Sequence, residues 1–243
     1  DIMDEDDLRR GVPAVHEAYD TSTAILAGDT LYSKAFEFMT ETGAAPQDGL
    51  EATRMLASTC TEICEGQALD VAFESRDDVL PEEYLEMVGL KTAVLYGASA
   101  ATAGLLLGAD DDVVEALYRY GIDSGRAFQI QDDVLDLTVP SEELGKQRGS
   151  DLVEGKETLI TLHARQQGVD VDELVDADTP DEATEAAVDD AVAALADAGS
   201  IAYARETAED LTAESKRHLD ALPESGSRSL LADLADYLIA RGY

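Results

Sequence analysis

Asp132, Asp133 and Asp136 stand in the run Phe128-Gln-Ile-Gln-Asp-Asp-Val-Leu-Asp136, whose apolar neighbours read as a buried helix. No other feature constrains the chain as strongly, because buried carboxylates need a cation to offset desolvation and mutual repulsion. On a helix, Asp132 and Asp136 lie one turn apart on one face, Asp133 adjoins them, and Gln129 extends that face one turn back. Three carboxylates and an amide are therefore expected to converge on one point. A hard divalent ion such as Mg2+ suits that set, since it takes oxygen ligands and keeps waters that a phosphate can replace.

A second acidic cluster opens the chain, in Asp1-Ile-Met-Asp-Glu-Asp-Asp-Leu-Arg9-Arg10-Gly11. Asp1 and Asp4 are at helical spacing, and the paired arginines follow a turn or more beyond. Carboxylates bind metal and guanidinium forks bind phosphate, so the combination points to a metal and phosphate complex held from both sides. The two clusters are expected to face each other across a helix-lined cavity.

Helical periodicity runs through the chain, near 14–41, 50–74, 82–90, 92–107, 111–137, 156–167, 181–197, 201–219 and 228–240, with breakers between the segments and almost no strand candidates. An all-α domain spanning 1–243 is expected. Lys plus Arg is 17 against 53 Asp plus Glu, a formal charge of -36, while 45% of residues are apolar, so the chain folds and carries an acidic surface. Such a surface fits high salt, where screening relieves self-repulsion, and speaks against nucleic acid or anionic membranes as partners. No run is apolar enough for a membrane span and no signal peptide is visible, so a cytoplasmic protein is expected. The chain begins without methionine and inside a motif, and it is expected to be part of a longer protein.

Several residues carry weaker signals. Lys91, with Thr92, is a lone cation entering the apolar run Leu90-Lys-Thr-Ala-Val-Leu-Tyr96. In a lysine-poor chain with two acidic clusters, it reads as an anion ligand. Gly66, beside Gln67 and Asp70, costs about 1 kcal/mol in mid-helix and marks close packing or ligand approach. Ala98 to Ala103 reads either as a helix-packing seam or as the lining of an apolar cavity. The polar, glycine-rich connection from Val139 to Gly155, with Lys146 and Arg148 and followed by Lys156, is a candidate lid. Asp172 to Gly199 reads as a peripheral helix pair without chemistry. Cys60 and Cys64 read as buried free thiols, and the scattered His16, His163 and His218 as structural or surface residues.

These residues resemble those of the trans-isoprenyl diphosphate synthases, the polyprenyl synthetase family, and most nearly the geranylgeranyl diphosphate synthases of salt-loving archaea. The first family motif, Asp-Asp-x-x-Asp followed by Arg-Arg-Gly, is matched by Asp1, Asp4, Arg9, Arg10 and Gly11 without its leading aspartate. The second is matched by Asp132, Asp133 and Asp136. Gly28-Asp29, Gly66-Gln67 with Asp70, Lys91-Thr92, Phe128-Gln129, Gly145-Lys146 and Gly149 to Lys156 also fit. The family carries further helices before the first motif, with residues that bind isopentenyl diphosphate, and these are absent here.

The resemblance implies an isoprenoid synthase fold, a bundle of long helices around a central cavity, in a homodimer. It implies condensation of isopentenyl diphosphate with an allylic diphosphate to a longer trans-prenyl diphosphate, geranylgeranyl diphosphate for archaeal ether lipids, with C15 and C25 products as alternatives. Asp1, Asp4, Asp132, Asp133 and Asp136 would hold several Mg2+ ions on the allylic diphosphate, with Arg9, Lys91 and Lys146 as further contacts. Arg10 would bind isopentenyl diphosphate, the Thr92 carbonyl and the Gln129 amide would face the cationic centres, and Lys156 would help close the lid. The apolar small-residue helix faces would form the tunnel for the growing chain. A non-catalytic subunit of a heteromeric synthase and a terpene cyclase of the same fold are the alternatives.

Overall fold

The computed structural model describes residues 2–3, 7–9, 11–73, 75–76, 78–141, 147–177, 179 and 182–240. A two-stranded hairpin, β1 (Leu8–Arg9) and β2 (Val12–Pro13), precedes the helices. The first half of the chain then forms α1 (Val15–Ala18), α2 (Thr21–Thr40), α3 (Pro46–Phe73), α4 (Pro81–Val88), a π-helical segment (Gly89–Ala93) and α5 (Val94–Leu106). The second half forms α6 (Asp111–Thr138), α7 (Ser150–Val153), α8 (Leu159–Gln166), α9 (Glu185–Asp197), α10 (Ser200–His218) and α11 (Gly226–Ala240).

The all-helical expectation holds, with three differences. Residues 81–106 run as one continuous rod where two segments were expected, because the π segment widens the helix by one residue without ending it. Arg9 stands in a strand, beyond which Gly11 at φ +76 turns the chain back. Cys60 is half-buried and Cys64 exposed, so the two thiols are free but not buried. They lie on the side of α3 that carries Tyr32 of α2, and α2 buries none of its own residues, so that side is only partly covered.

The long helix α6 is the axis of the molecule. It packs against α5 on one side and α10 on the other. The small residues of α5 serve that packing: Gly97 lies against Ile122, and a Cβ on Gly121 would come within 2.4 Å of the Tyr96 carbonyl oxygen. Of the two readings of Ala98 to Ala103, the helix seam is therefore the one observed, with Ala98 and Ala101 buried. Along α10 the seam is polar. Ser124 and Ser215 share a hydrogen bond of 2.7 Å, Ser215 donates to the Tyr120 carbonyl, and His218 meets Asp123 at 2.9 Å. Paired polar groups at this interface fix the axial register of the two helices, since a slip would leave buried groups without partners.

Helix α9 is more than a peripheral ornament of the bundle. Val188, Ala191 and Leu195 are buried, and Asp189 accepts from Arg148 at 2.7 Å while Glu185 accepts from Ser141 at 2.8 Å. It thus braces the connection that leaves α6.

Among the described glycines, the closest approach is between α3 and the π segment. A Cβ placed on Gly66 would lie 2.2 Å from the Lys91 nitrogen and 2.6 Å from its Cα. Only a residue without a side chain lets these backbones touch. Gly66→Ala should therefore destabilise the protein by about 1–3 kcal/mol through overpacking. Gly49→Ala, at a helical position with open space around it, should be neutral or gain up to about 1 kcal/mol. Urea unfolding of both variants in molar KCl checks the contrast.

Candidate active site

The contact at Gly66 sets the first functional pair. Asp70 follows Gly66 by one turn of α3, and with the backbones in contact Lys91 reaches it directly, donating from Nζ to Oδ2 at 2.5 Å. Gln67 Nε2 approaches the same oxygen at 3.5 Å. The lysine is half-buried rather than trailing into solvent, and a π segment at that point is the kind of local widening that recurs at functional sites.

Thr92, the next residue, begins a chain of hydrogen bonds across three elements. Its hydroxyl donates to Gln129 Oε1 at 3.1 Å, Gln129 Nε2 donates to Asp133 Oδ1 at 3.1 Å, and the Tyr84 hydroxyl donates to Asp133 Oδ2 at 2.5 Å. Tyr84 is 2% exposed and comes from α4. The start of α4 is firmly held. Pro81 opens it, Glu83 accepts the Leu80 N–H at 3.0 Å, and Arg76 grips Glu83 with bonds of 2.8 and 3.2 Å and Asp78 with one of 3.0 Å. Tyr84 directly follows that anchored residue.

Asp136 serves a third element. Its Oδ1 accepts from Ser150 Oγ at 3.0 Å and its Oδ2 from the Asp151 N–H at 3.2 Å, while its carbonyl accepts the Gly149 N–H at 2.9 Å. It therefore pins the start of α7 to the end of α6. Lys156, just beyond, lies 3.5 Å from Asp151 and 2.8 Å from Glu154. Arg148 donates to the Leu137 carbonyl and to Asp189, so within the candidate lid it is a structural tie and not an amine waiting for phosphate.

The three aspartates consequently do not meet at one point. Successive side chains on a helix are separated by 100°, so Asp133 turns toward α4, and Asp136, though on the face of Asp132, is closed off by α7. Asp132 is the half-buried member, whereas Asp133 and Asp136 are 6% and 2% exposed. Among the described residues no group of three or more acidic, histidine or cysteine side chains could hold a metal ion. The acids are nonetheless crowded: burial, then the charges of Asp151 and Asp132, push the Asp133 carboxyl up to about 8 against its two hydrogen bonds. In its chemistry this donor set fits a hard divalent cation, and it needs ligands from a second wall to complete a shell. The expected second wall, Asp1 and Asp4, lies outside the described residues, as do Arg10 and Lys146. Arg9 is exposed on β1.

One of the site's partners was not singled out by sequence: nothing in the local pattern distinguishes Tyr84 from a core tyrosine. Two grooves, one of about 560 Å3 between α4, the π segment and α6 and one of about 300 Å3 between α3 and α6, are not lined by Lys91, Thr92, Gln129 or Asp132. They contain glutamates and are no part of this site.

Residues 1–195 match the family model described as polyprenyl synthetase. The chain belongs to the polyprenyl synthetase family. It is accordingly an enzyme of the prenyl-transferring class. It is 65% identical, over its whole length and 70% of the relative's, to the geranylfarnesyl diphosphate synthase of Natronomonas pharaonis. It is 50% identical to the geranylgeranyl diphosphate synthase of Methanosarcina mazei, covering 74% of that protein. The fold matches the solved geranylgeranyl pyrophosphate synthetase of Geoglobus acetivorans with a TM-score of 0.90 and 46% identity, over 99% of this chain and 74% of that one. The isoprenoid synthase fold is thereby established.

Because Asp133 binds its proton more tightly in the folded than in the unfolded state, its contribution to stability is full below pH about 4 and is lost as pH rises through about 8. Asp133→Asn cannot titrate there. The melting temperature in molar KCl without divalent ions should therefore fall less steeply between pH 5 and 9 in this variant than in the wild type, and equal slopes would refute the assignment.

Proposed function

We propose that the chain condenses isopentenyl diphosphate with an allylic diphosphate to give a trans-prenyl diphosphate five carbons longer. The observation that carries this reading is the grouping of Lys91, held by Asp70, with the Thr92 and Gln129 pair and the acid-rich end of α6, in a member of the polyprenyl synthetase family. Asp132 would take metal from one wall, backed by Asp133 and Asp136, and Asp1 and Asp4 from the other. Mg2+ bound there supplies neutralisation of the charge that develops on the departing diphosphate.

The chain's own residues do the rest. Lys91, Arg9 and Lys146 bind the allylic diphosphate and favour heterolysis of its carbon–oxygen bond, since cations placed at a developing negative charge act before solvent must reorganise. Arg10 holds isopentenyl diphosphate, whose double bond attacks the allylic cation. Loss of a proton to the released diphosphate completes the product. The Thr92 carbonyl and the Gln129 amide present dipoles to the cationic centres. Lys156, tied to the segment that Asp136 pins, helps exclude water that would otherwise capture the cation.

The product assigned is geranylgeranyl diphosphate for archaeal ether lipids. The 65% identity to a geranylfarnesyl diphosphate synthase favours geranylfarnesyl diphosphate as a second reading. We place the enzyme in the cytoplasm. No described helix is long and apolar enough to cross a membrane, and the charge of -36 suits molar salt. A second copy is assigned to α2, which buries none of its residues and leaves Leu26, Leu31 and Phe38 exposed.

Full-length protein incubated in molar KCl with Mg2+, labelled isopentenyl diphosphate and dimethylallyl, geranyl or farnesyl diphosphate should yield one discrete elongated product by chromatography. Asp132→Asn should lower kcat/KM by at least about 100-fold with the melting temperature retained. No product from any primer in a folded sample would overturn the function, and a normal rate in Asp132→Asn would overturn the metal assignment.

A further inference from the structure

Tyr84 lies outside every residue set assigned so far, yet it terminates the hydrogen-bond chain that reaches Thr92. The chain has a direction. A side-chain amide presents a donor on one side and an acceptor on the other, and which way round it stands is set by its neighbours. Gln129 meets a hydroxyl on one side, at Thr92, and a carboxyl on the other, at Asp133. A hydroxyl can donate or accept, so Thr92 alone would tolerate either orientation. Asp133 is the group that decides: its Oδ2 faces the Tyr84 hydroxyl at 2.5 Å, which holds any carboxyl proton on that side, so Oδ1 is left as an acceptor for Nε2.

Burial and the adjacent Asp133 carboxyl keep the Tyr84 phenol well above its ordinary range, so the hydroxyl retains its proton throughout the working pH range. Its ring belongs to the buried core cluster that also holds Val88, Ile130 and Val134. The start of α4 is anchored through Arg76 and Glu83. Tyr84 is thus a rigid donor, not a mobile one.

We propose that Tyr84 is a positioning residue of the condensation: through Asp133 it sets the Gln129 amide with its oxygen toward Thr92, and so fixes the dipoles presented to the allylic cation. Asp133 in this arrangement belongs to the relay and leaves metal binding on α6 to Asp132. The inference rests on the proposed condensation for its kinetic consequence, and on the hydrogen-bond geometry alone for its structural one.

In the full-length protein, Tyr84→Phe keeps the ring and removes only the donor. Its kcat should fall about 10- to 100-fold, the range typical of groups that orient a reacting residue, with KM for the allylic diphosphate unchanged. Asp133→Asn should show the same pattern, and the double variant should be no slower than the slower single. Mn2+ affinity, read by electron paramagnetic resonance in the presence of an allylic thiodiphosphate, should stay at the wild-type value in Tyr84→Phe and Asp133→Asn. In protein labelled with 15N-glutamine, the Gln129 amide resonances, identified by their loss in Gln129→Glu, should shift in Tyr84→Phe. A wild-type kcat in folded Tyr84→Phe, additive losses in the double variant, weakened Mn2+ binding in either single variant, or unmoved Gln129 resonances would each overturn the proposal. Wild-type protein that condenses nothing would instead strike the proposed function, with the Gln129 resonances still deciding the relay.

Discussion

The backbone of Lys91 rests on Gly66, and most of the site follows from that contact. A side chain at 66 would hold α3 away from the π segment, and Lys91 would then reach for Asp70 across a gap instead of meeting it at 2.5 Å. The π segment matters for the same reason. By widening the turn without breaking the rod from α4 into α5, it keeps Lys91 and Thr92 on a rigid element whose two ends are both packed, Tyr84 in the core on one side and the small residues of α5 against α6 on the other. A catalytic constellation on such an element is better fixed than one on a loop.

Electrostatics explains how the acid-rich end of α6 survives burial. Each carboxylate has a distinct solution. Asp133 takes two donors and a raised proton affinity, and Asp136 takes a hydroxyl and a backbone N–H from the segment it anchors. Asp133 is relieved by holding a proton up to about pH 8, and the two donors on Asp136 offset part of the desolvation that an ion would otherwise have to relieve alone. The division has a functional corollary: of the three acids, Asp133 and Asp136 are buried behind and Asp132 is the half-buried one in front.

Much of this was legible in the sequence because period and composition act locally. The helices, their breakers, the buried setting of residues 132–136, and the close packing at Gly66 follow from spacing and from the cost of glycine in mid-helix. Lys91 was read as an anion ligand, and its pairing with Asp70 was not anticipated, because that contact depends on α3 crossing the π segment. The convergence of three aspartates failed because helical spacing says which face a residue occupies and nothing about what packs against it. Tyr84, from α4, and α7, from beyond the connection that leaves α6, claim two of the three carboxylates. The same limit applied to Arg148, whose partner lies on α9, and to Cys64, whose exposure depends on how little α2 covers.

The division of labour among the acids of α6 is tested most directly by a crystal structure of the full-length protein with Mn2+ and an allylic thiodiphosphate, phased for the anomalous signal of the metal. Manganese bonded to the Asp132 carboxylate, with Asp133 still on Tyr84 and Gln129, is the predicted result. Manganese bonded to Asp133 with the Tyr84 hydroxyl displaced would contradict it.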